Sequence, residues 1–151
     1  MGRLILIGLM GILLSSCSFV PFTSDKIRQL KVNAEQGDPK AQHELGLEYC
    51  CGFGAGHDTT IALQWFCKSA IQGYGPAQYE VGRFYGLRMD THDGESHRQE
   101  LILAYAWYRL AAENSVPLAA AERDALLKDL SPQEVKTANN HIKLQEPMRC
   151  G

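Results

Sequence analysis

Between Gly86 and Gln99 the sequence GLRMDTHDGESHRQ brings Asp90, His92, Asp93, Glu95 and His97 into one short stretch. Carboxylate and imidazole ligands together can hold a divalent metal, and long loops on a rigid scaffold often carry function. The spacing argues against a metal. A calcium loop wants acids at its first, third and fifth positions ahead of the glycine, and a helical histidine pair stands four residues apart. A solvated loop inserted at 88–99 is the expectation, with no metal and no other cofactor. His43-Glu44 opens like a zinc-protease motif, but Leu47 occupies the position of the second histidine. No serine is followed three residues later by lysine, the pair with which penicillin-recognising enzymes acylate themselves. The chain therefore reads as non-catalytic, with no small-molecule substrate.

The five cysteines need their compartment before their chemistry can be stated. Of the 151 residues, 45% are hydrophobic and 21% charged, the profile of one folded domain. Residues 1–16 stand apart from it. Arg3, the apolar run Leu4 to Leu14 and two small residues make a secretory signal peptide, too short to cross a bilayer, which takes about 20 apolar residues. Leu14-Ser15-Ser16-Cys17 resembles the lipobox of bacterial lipoproteins. That resemblance implies lipidation of the Cys17 sulfur and acylation of its new amine, with each buried methylene contributing roughly 0.8 kcal/mol to membrane attachment. Ser18 stands where an aspartate would imply inner-membrane retention, so the implied address is the outer membrane, facing the periplasm. Without Arg3, 14 basic residues face 17 acidic ones, a net charge of −3 with histidine neutral. Such a surface has no polybasic patch, which excludes nucleic acid as a partner.

Export places Cys50, Cys51, Cys67 and Cys150 in an oxidising compartment, where disulfides are expected. Four cysteines allow three connectivities. If the first hairpin turns near Ala55, Cys67 lies about eight residues, roughly 12 Å, beyond the point facing Cys51. Bridged Cα atoms are usually within about 7 Å. A bridge inside the hairpin would need the first helix to end early and fold back, and a vicinal Cys50–Cys51 bond would be strained. Cys150, on a tail, is expected to pair with one of the other three.

These residues must be positioned by helices, and the sequence writes its helices twice. At a spacing of 36, Gly37, Ala41, Gln42, Glu44, Gly46 and Tyr49 repeat as Gly73, Ala77, Gln78, Glu80, Gly82 and Tyr85, with Leu45 replaced by Val81. Ala41, Leu45 and Tyr49 step by four, as do Ala77, Val81 and Tyr85, which sets each trio on one helix face. A second helix follows each copy, with Ala62, Trp65 and Ala70 answering to Ala104, Trp107 and Ala112 at an offset of 42. Six residues are thus inserted in the second copy. Mid-helix glycine costs about 1 kcal/mol relative to alanine, so Gly46 and Gly82 are expected where a neighbouring helix, through its tryptophan, rests on bare backbone.

The pattern Ala-Gln-x-x-Leu/Val-Gly-x-x-Tyr, a glycine turn, then Ala-x-x-Trp-x-x-x-x-Ala resembles the Sel-one-like repeat, a relative of the tetratricopeptide repeat, over about Gly37 to Glu113. Gly52-Phe53-Gly54 and Asp58 match its first turn; the second copy keeps Gly86 but loses the other glycine. The expected fold is all-α, a short α-solenoid of antiparallel helical hairpins with a cap at each end. Its parts are a signal at 1–16, a lipidated linker at 17–23, a capping helix at 24–36 with Ser24 as N-cap, repeat 1 at 37–72 and repeat 2 at 73–114. A C-terminal capping hairpin at 115–145 and a tail at 146–151 complete it. Pro117 opens a helix to about Asp129, and Ser131-Pro132-Gln133-Glu134 is a capping box for a helix to about Leu144.

The resemblance implies a protein-interaction scaffold whose partners are unnamed envelope proteins. Tyr74, Tyr79, Tyr105 and Tyr108 are the aromatics such a partner could meet where the core does not consume them. The alternative is a periplasmic hydrolase or penicillin-binding protein of the kind described for cysteine-rich relatives. Their cysteines lie near the junction between repeats, where this chain has none.

Overall fold

A computed structural model describes residues 22–52, 56–88 and 94–144. Among these residues there are seven α-helices and no strand: α1 (Phe22–Glu35), α2 (Pro39–Cys51), α3 (Thr59–Ala70), α4 (Gly75–Arg88), α5 (Gly94–Glu113), α6 (Pro117–Leu126) and α7 (Pro132–Leu144). Each of the first five packs on its successor, and α7 returns to α5. The architecture is an all-α solenoid of repeats. The signal at 1–16, Cys17, Phe53-Gly54, Asp90, His92, Asp93 and Cys150 lie outside the described residues.

Helix starts follow local chemistry. Asp38 caps α2 by accepting from the Lys40 N–H at 3.0 Å, with Pro39 in the first turn. Asp58 caps α3 by accepting from Thr60 and Ile61 at 3.0 and 2.9 Å. At α7 the capping box forms: the Ser131 N–H donates to Glu134 Oε2 at 2.8 Å, and the Glu134 N–H donates to Ser131 Oγ at 3.4 Å. Ser24 does not cap α1, which begins two residues earlier, at Phe22. The sixth helix stops at Leu126 instead of near Asp129, because the chain tightens into turns in which Lys128 and Asp129 donate to Ala125 and Leu126.

Junctions between hairpins repeat in three dimensions. Gln42 Nε2 donates to the Ala34 carbonyl at 3.0 Å while its Oε1 accepts from Gln72 Nε2 at 2.8 Å. One repeat later Gln78 Nε2 donates to the Ala70 carbonyl at 3.1 Å and its Oε1 accepts from Asn114 Nδ2 at 2.8 Å. Both glutamines are buried and fully used in linking consecutive hairpins. Gly37 and Gly73 turn the chain before α2 and α4 with φ of 94° and 84°. The third junction needs the same turn but has Ser115, at φ 65°. A left-handed residue with a Cβ costs roughly 1 kcal/mol that glycine does not incur. Ser115→Gly is therefore expected to raise stability by about 0.5–1 kcal/mol, read as a higher urea midpoint; an unchanged or lower midpoint would show that the serine is not strained.

The notches are filled, though by different rings from those the sequence suggested. A Cβ placed on Gly46 would lie 2.5 Å from Phe66 Cε1, and one on Gly82 would lie 2.7 Å from Tyr108 Cδ1. Each ring belongs to the residue just after the tryptophan. Trp107 instead is buried at 1% exposure within the main core, and Trp65 packs beside Leu30, Ala34, Ala41 and Leu45 of α1 and α2. One residue is about 100° of helix rotation, so adjacent rings serve different neighbours.

The insertion also differs from its expectation. It lengthens helices: α4 runs to Arg88, and Glu95, His97 and Arg98 belong to α5, whose 20 residues exceed the 12 of α3. The added turns carry the C-terminal cap. Arg98 Nε donates to Glu134 Oε1 at 2.7 Å, its Nη2 reaches Glu134 Oε2, and its Nη1 donates to the Asp129 carbonyl at 3.0 Å. Both α6 and α7 rest chiefly on α5, so the cap depends on that helix more than on a hairpin of its own.

Hydrogen bonds from Arg98 and then Ser131 hold the Glu134 carboxyl at about 2, below its ordinary 4.5. A depressed carboxyl stabilises the fold above its unfolded value and loses that contribution as pH falls through the folded one. Attachment of α7 is thus expected to be intact above about pH 4.5 and to weaken toward pH 2. Amide exchange in α7 checks this: protection should fall over that window, and Glu134→Gln should remove the pH dependence.

Candidate functional site

The repeat-signature residues do not form a site. Ala41, Gln42, Leu45, Gly46, Ala62, Ala70, Ala77, Gln78, Val81, Gly82, Tyr85, Ala104 and Trp107 are buried, while Tyr49, Trp65 and Ala112 are half-buried against the core. Gly37 and Gly73 are turn residues, the first half-buried and the second exposed. Their chemistry is packing. Trp65 is covered from outside by Lys68, whose Nζ sits 4.0 Å from the ring centroid.

Nor do the residues read for catalysis or metal binding converge. His43 lies between rings, 5.7 Å from Phe66 and 5.4 Å from Tyr74, and burial lowers its pKa against an opposing effect of Glu44, leaving it neutral at pH 7. Among the described residues no cluster of three or more His, Cys, Asp and Glu could hold a metal, and no helix is long and apolar enough to cross a membrane. Glu95 and His97 are on helix α5, away from the loop expected to carry them.

Of the three connectivities the sequence leaves open, the structure has the one in which Cys50 is bonded to Cys51. These are the last two residues of α2, and Gly52 after them is extended. Cys67 is buried on α3 and is itself disulfide-bonded.

What the structure leaves open to a partner is a groove on both sides of α4. On one side a cavity of about 110 Å³ is walled mainly by Leu63 and Phe66 of α3 and Phe84 and Leu87 of α4, with Cys50 and Thr59 at its margin. On the other, a more polar cavity of about 260 Å³ lies among Tyr79, Arg83, Tyr108, Glu122 and Leu126. Arg83 and Leu87 border both, so the two adjoin. Leu87 is 68% exposed, an apolar side chain left in water at the crest between them. Both cavities fall short of the roughly 300–1,000 Å³ usual for small-molecule sites and suit single side chains of a partner.

Around the polar side, Arg83 Nη1 donates to Glu80 Oε2 at 2.9 Å, and the Tyr79 and Tyr108 rings stand 5.6 Å apart. Burial pushes the Tyr108 phenol well above its ordinary value, so it stays protonated. Of the four tyrosines read as possible contacts, Tyr105 and Tyr108 are consumed by the core, and Tyr74 and Tyr79 keep part of their surface. Leu63, Arg83, Phe84, Leu87 and Glu122 carry no repeat signal, so sequence reasoning missed them. The one available clue was that they lie on the faces the repeated residues do not use.

Comparison with known proteins bears on this geometry. The profile of the Sel1 repeat family matches residues 39–74 and 75–116, which are α2 with α3 and α4 with α5 plus their junctions. A Sel1 repeat protein from Oxalobacter formigenes has a similar structure, with a TM-score of 0.55 and 32% identity over 66% of this chain and 70% of that one. A protective antigen of uropathogenic Escherichia coli displaying an SLR fold aligns with a TM-score of 0.61 and 27% identity over 75% of this chain, which spans 23% of that protein. No curated protein sequence matches significantly.

Proposed function

The chain belongs to the Sel1 repeat family, and we propose that it is a non-catalytic adaptor of the bacterial cell envelope that holds partner proteins in the groove along α4. Sel1 repeat proteins are generally protein-interaction scaffolds. The observation that carries the reading here is the exposed Leu87 between two side-chain-sized cavities on a frame whose repeated apolar residues and glutamines are spent on packing. Exposed apolar surface rimmed by polar groups is the usual mark of a protein contact.

The location rests on sequence alone. Cys17, reached after an export signal, would carry the lipid and hold the groove at the periplasmic face of the outer membrane. Labelling cells with a palmitate analogue tests this: label and membrane association are expected for the natural chain and lost with Cys17→Ala, and an unlabelled natural chain would remove the anchor. For the groove, a photo-crosslinker at Leu87 in the native cell should join the chain to one or a few envelope proteins. Crosslinks no different from those made from exposed Gln64, on α3, would sink the scaffold reading. The purified protein is expected to leave nitrocefin intact; turnover would replace the scaffold with a hydrolase.

A further inference from the structure

We propose that the segment bound in the α4 groove presents an apolar side chain with a lysine or arginine close beside it. This rests on the scaffold reading and adds the chemistry of the partner. The apolar requirement comes from Leu63, Phe66, Phe84 and Leu87, which line a cavity large enough for one aliphatic or small aromatic group. Leu87 gains most from being covered, because it is 68% exposed while Leu63 and Phe66 behind it are each 5% exposed. Burial returns about 25 cal/mol for each Å² of apolar surface removed from water.

The basic requirement comes from the adjoining side. Glu80, Glu122 and Arg83 border the two cavities, two carboxylates against one guanidinium. Arg83 is already bound to Glu80 at 2.9 Å, which leaves the exposed Glu122 carboxylate as the uncompensated charge beside the Tyr79 and Tyr108 rings. A cation placed there meets a carboxylate and an aromatic face together, and both attract it. An acidic side chain would meet the Glu122 carboxylate and be repelled. The two cavities share Arg83 and Leu87, so apolar and cationic groups can come from neighbouring residues of one segment.

The test uses the whole mature chain and two pools of fluorescent synthetic peptides with Gly-Ser flanks. Each peptide carries one leucine, with lysine in one pool and glutamate in the other placed one to four residues away. Anisotropy should show the lysine pool binding at least about fivefold more tightly, and Glu122→Lys should abolish or reverse that preference. Glu122 is exposed on α6, so this variant should fold, which circular dichroism verifies. Leu87→Asp should weaken both pools. Equal binding of the pools, tighter binding of glutamate, a preference untouched by Glu122→Lys, or no binding of either pool at millimolar peptide would each overturn the inference. If partners still crosslink from Leu87 in any of those cases, the scaffold reading stands and only the partner's chemistry is wrong.

Discussion

Gly82→Ala is expected to destabilise the protein by about 2 kcal/mol, although alanine in place of glycine within a helix should by propensity alone stabilise it by about 1 kcal/mol. The sign is reversed by Tyr108. A Cβ on Gly82 would lie 2.7 Å from Cδ1, 2.8 Å from Cε1 and 3.2 Å from Cγ of that ring. Because Cγ is the root of the ring, the side chain cannot swing aside without moving α5. Tyr108 is also only 5% exposed and has little room to move into. Gly46→Ala should cost less, since it meets Phe66 mainly through Cε1, Cδ1 and Cζ, the outer part of a ring that can tilt. Urea unfolding of both variants and of the Gly82→Ala/Tyr108→Leu pair checks the argument. The double variant should recover about 1–2 kcal/mol relative to the sum of the two single losses. Additive losses would show that the notch and the ring do not act on one another.

Trp107→Ala should cost about 3–5 kcal/mol, the range for truncating a buried aromatic. Whole domains are stable by about 5–15 kcal/mol, so this variant is expected to stand at the edge of unfolding. Trp107 is 1% exposed and sits in the cluster that joins α3, α4 and α5 with Ala119 of α6 and Ala138 of α7, so its loss opens a cavity at the centre of the stack. Its Nε1 is buried and finds no hydrogen-bond partner among the described residues. Trp107→Phe therefore removes volume without breaking a bond and should cost clearly less than alanine. Trp65→Ala should also cost less, because Trp65 is half-buried and serves the smaller cluster under α1. Amide exchange should then show loosening confined to α1, whereas Trp107→Ala should raise exchange in every helix. A Trp107→Ala variant as stable as the natural chain would mean that the core is not organised around this residue.

Some features of the molecule depend only on near neighbours in the chain. The repeat register, the capping box at Ser131, and the need for close approach at Gly46 and Gly82 were legible because each is a matter of residue type at short spacing. So was the structural use of Gln42 and Gln78, since a polar side chain recurring at one register beside an apolar stripe has a partner at the same place in every repeat.

Other features waited for the tertiary structure. Which ring enters a glycine notch turns on about 100° of helix rotation, and that is set by how two helices cross, so Phe66 and Tyr108 could not be told from the tryptophans beside them. The inserted residues read as a loop because His97, Arg98 and Glu95 are polar; they became helix because Arg98 finds Glu134 and the Asp129 carbonyl on the C-terminal cap, more than thirty residues away. The groove has the same origin. Phe66, Leu87 and Glu122 lie on three helices and share no pattern in the chain; packing alone brings them together beside α4, with Phe66 buried in the wall and Leu87 and Glu122 left at the surface.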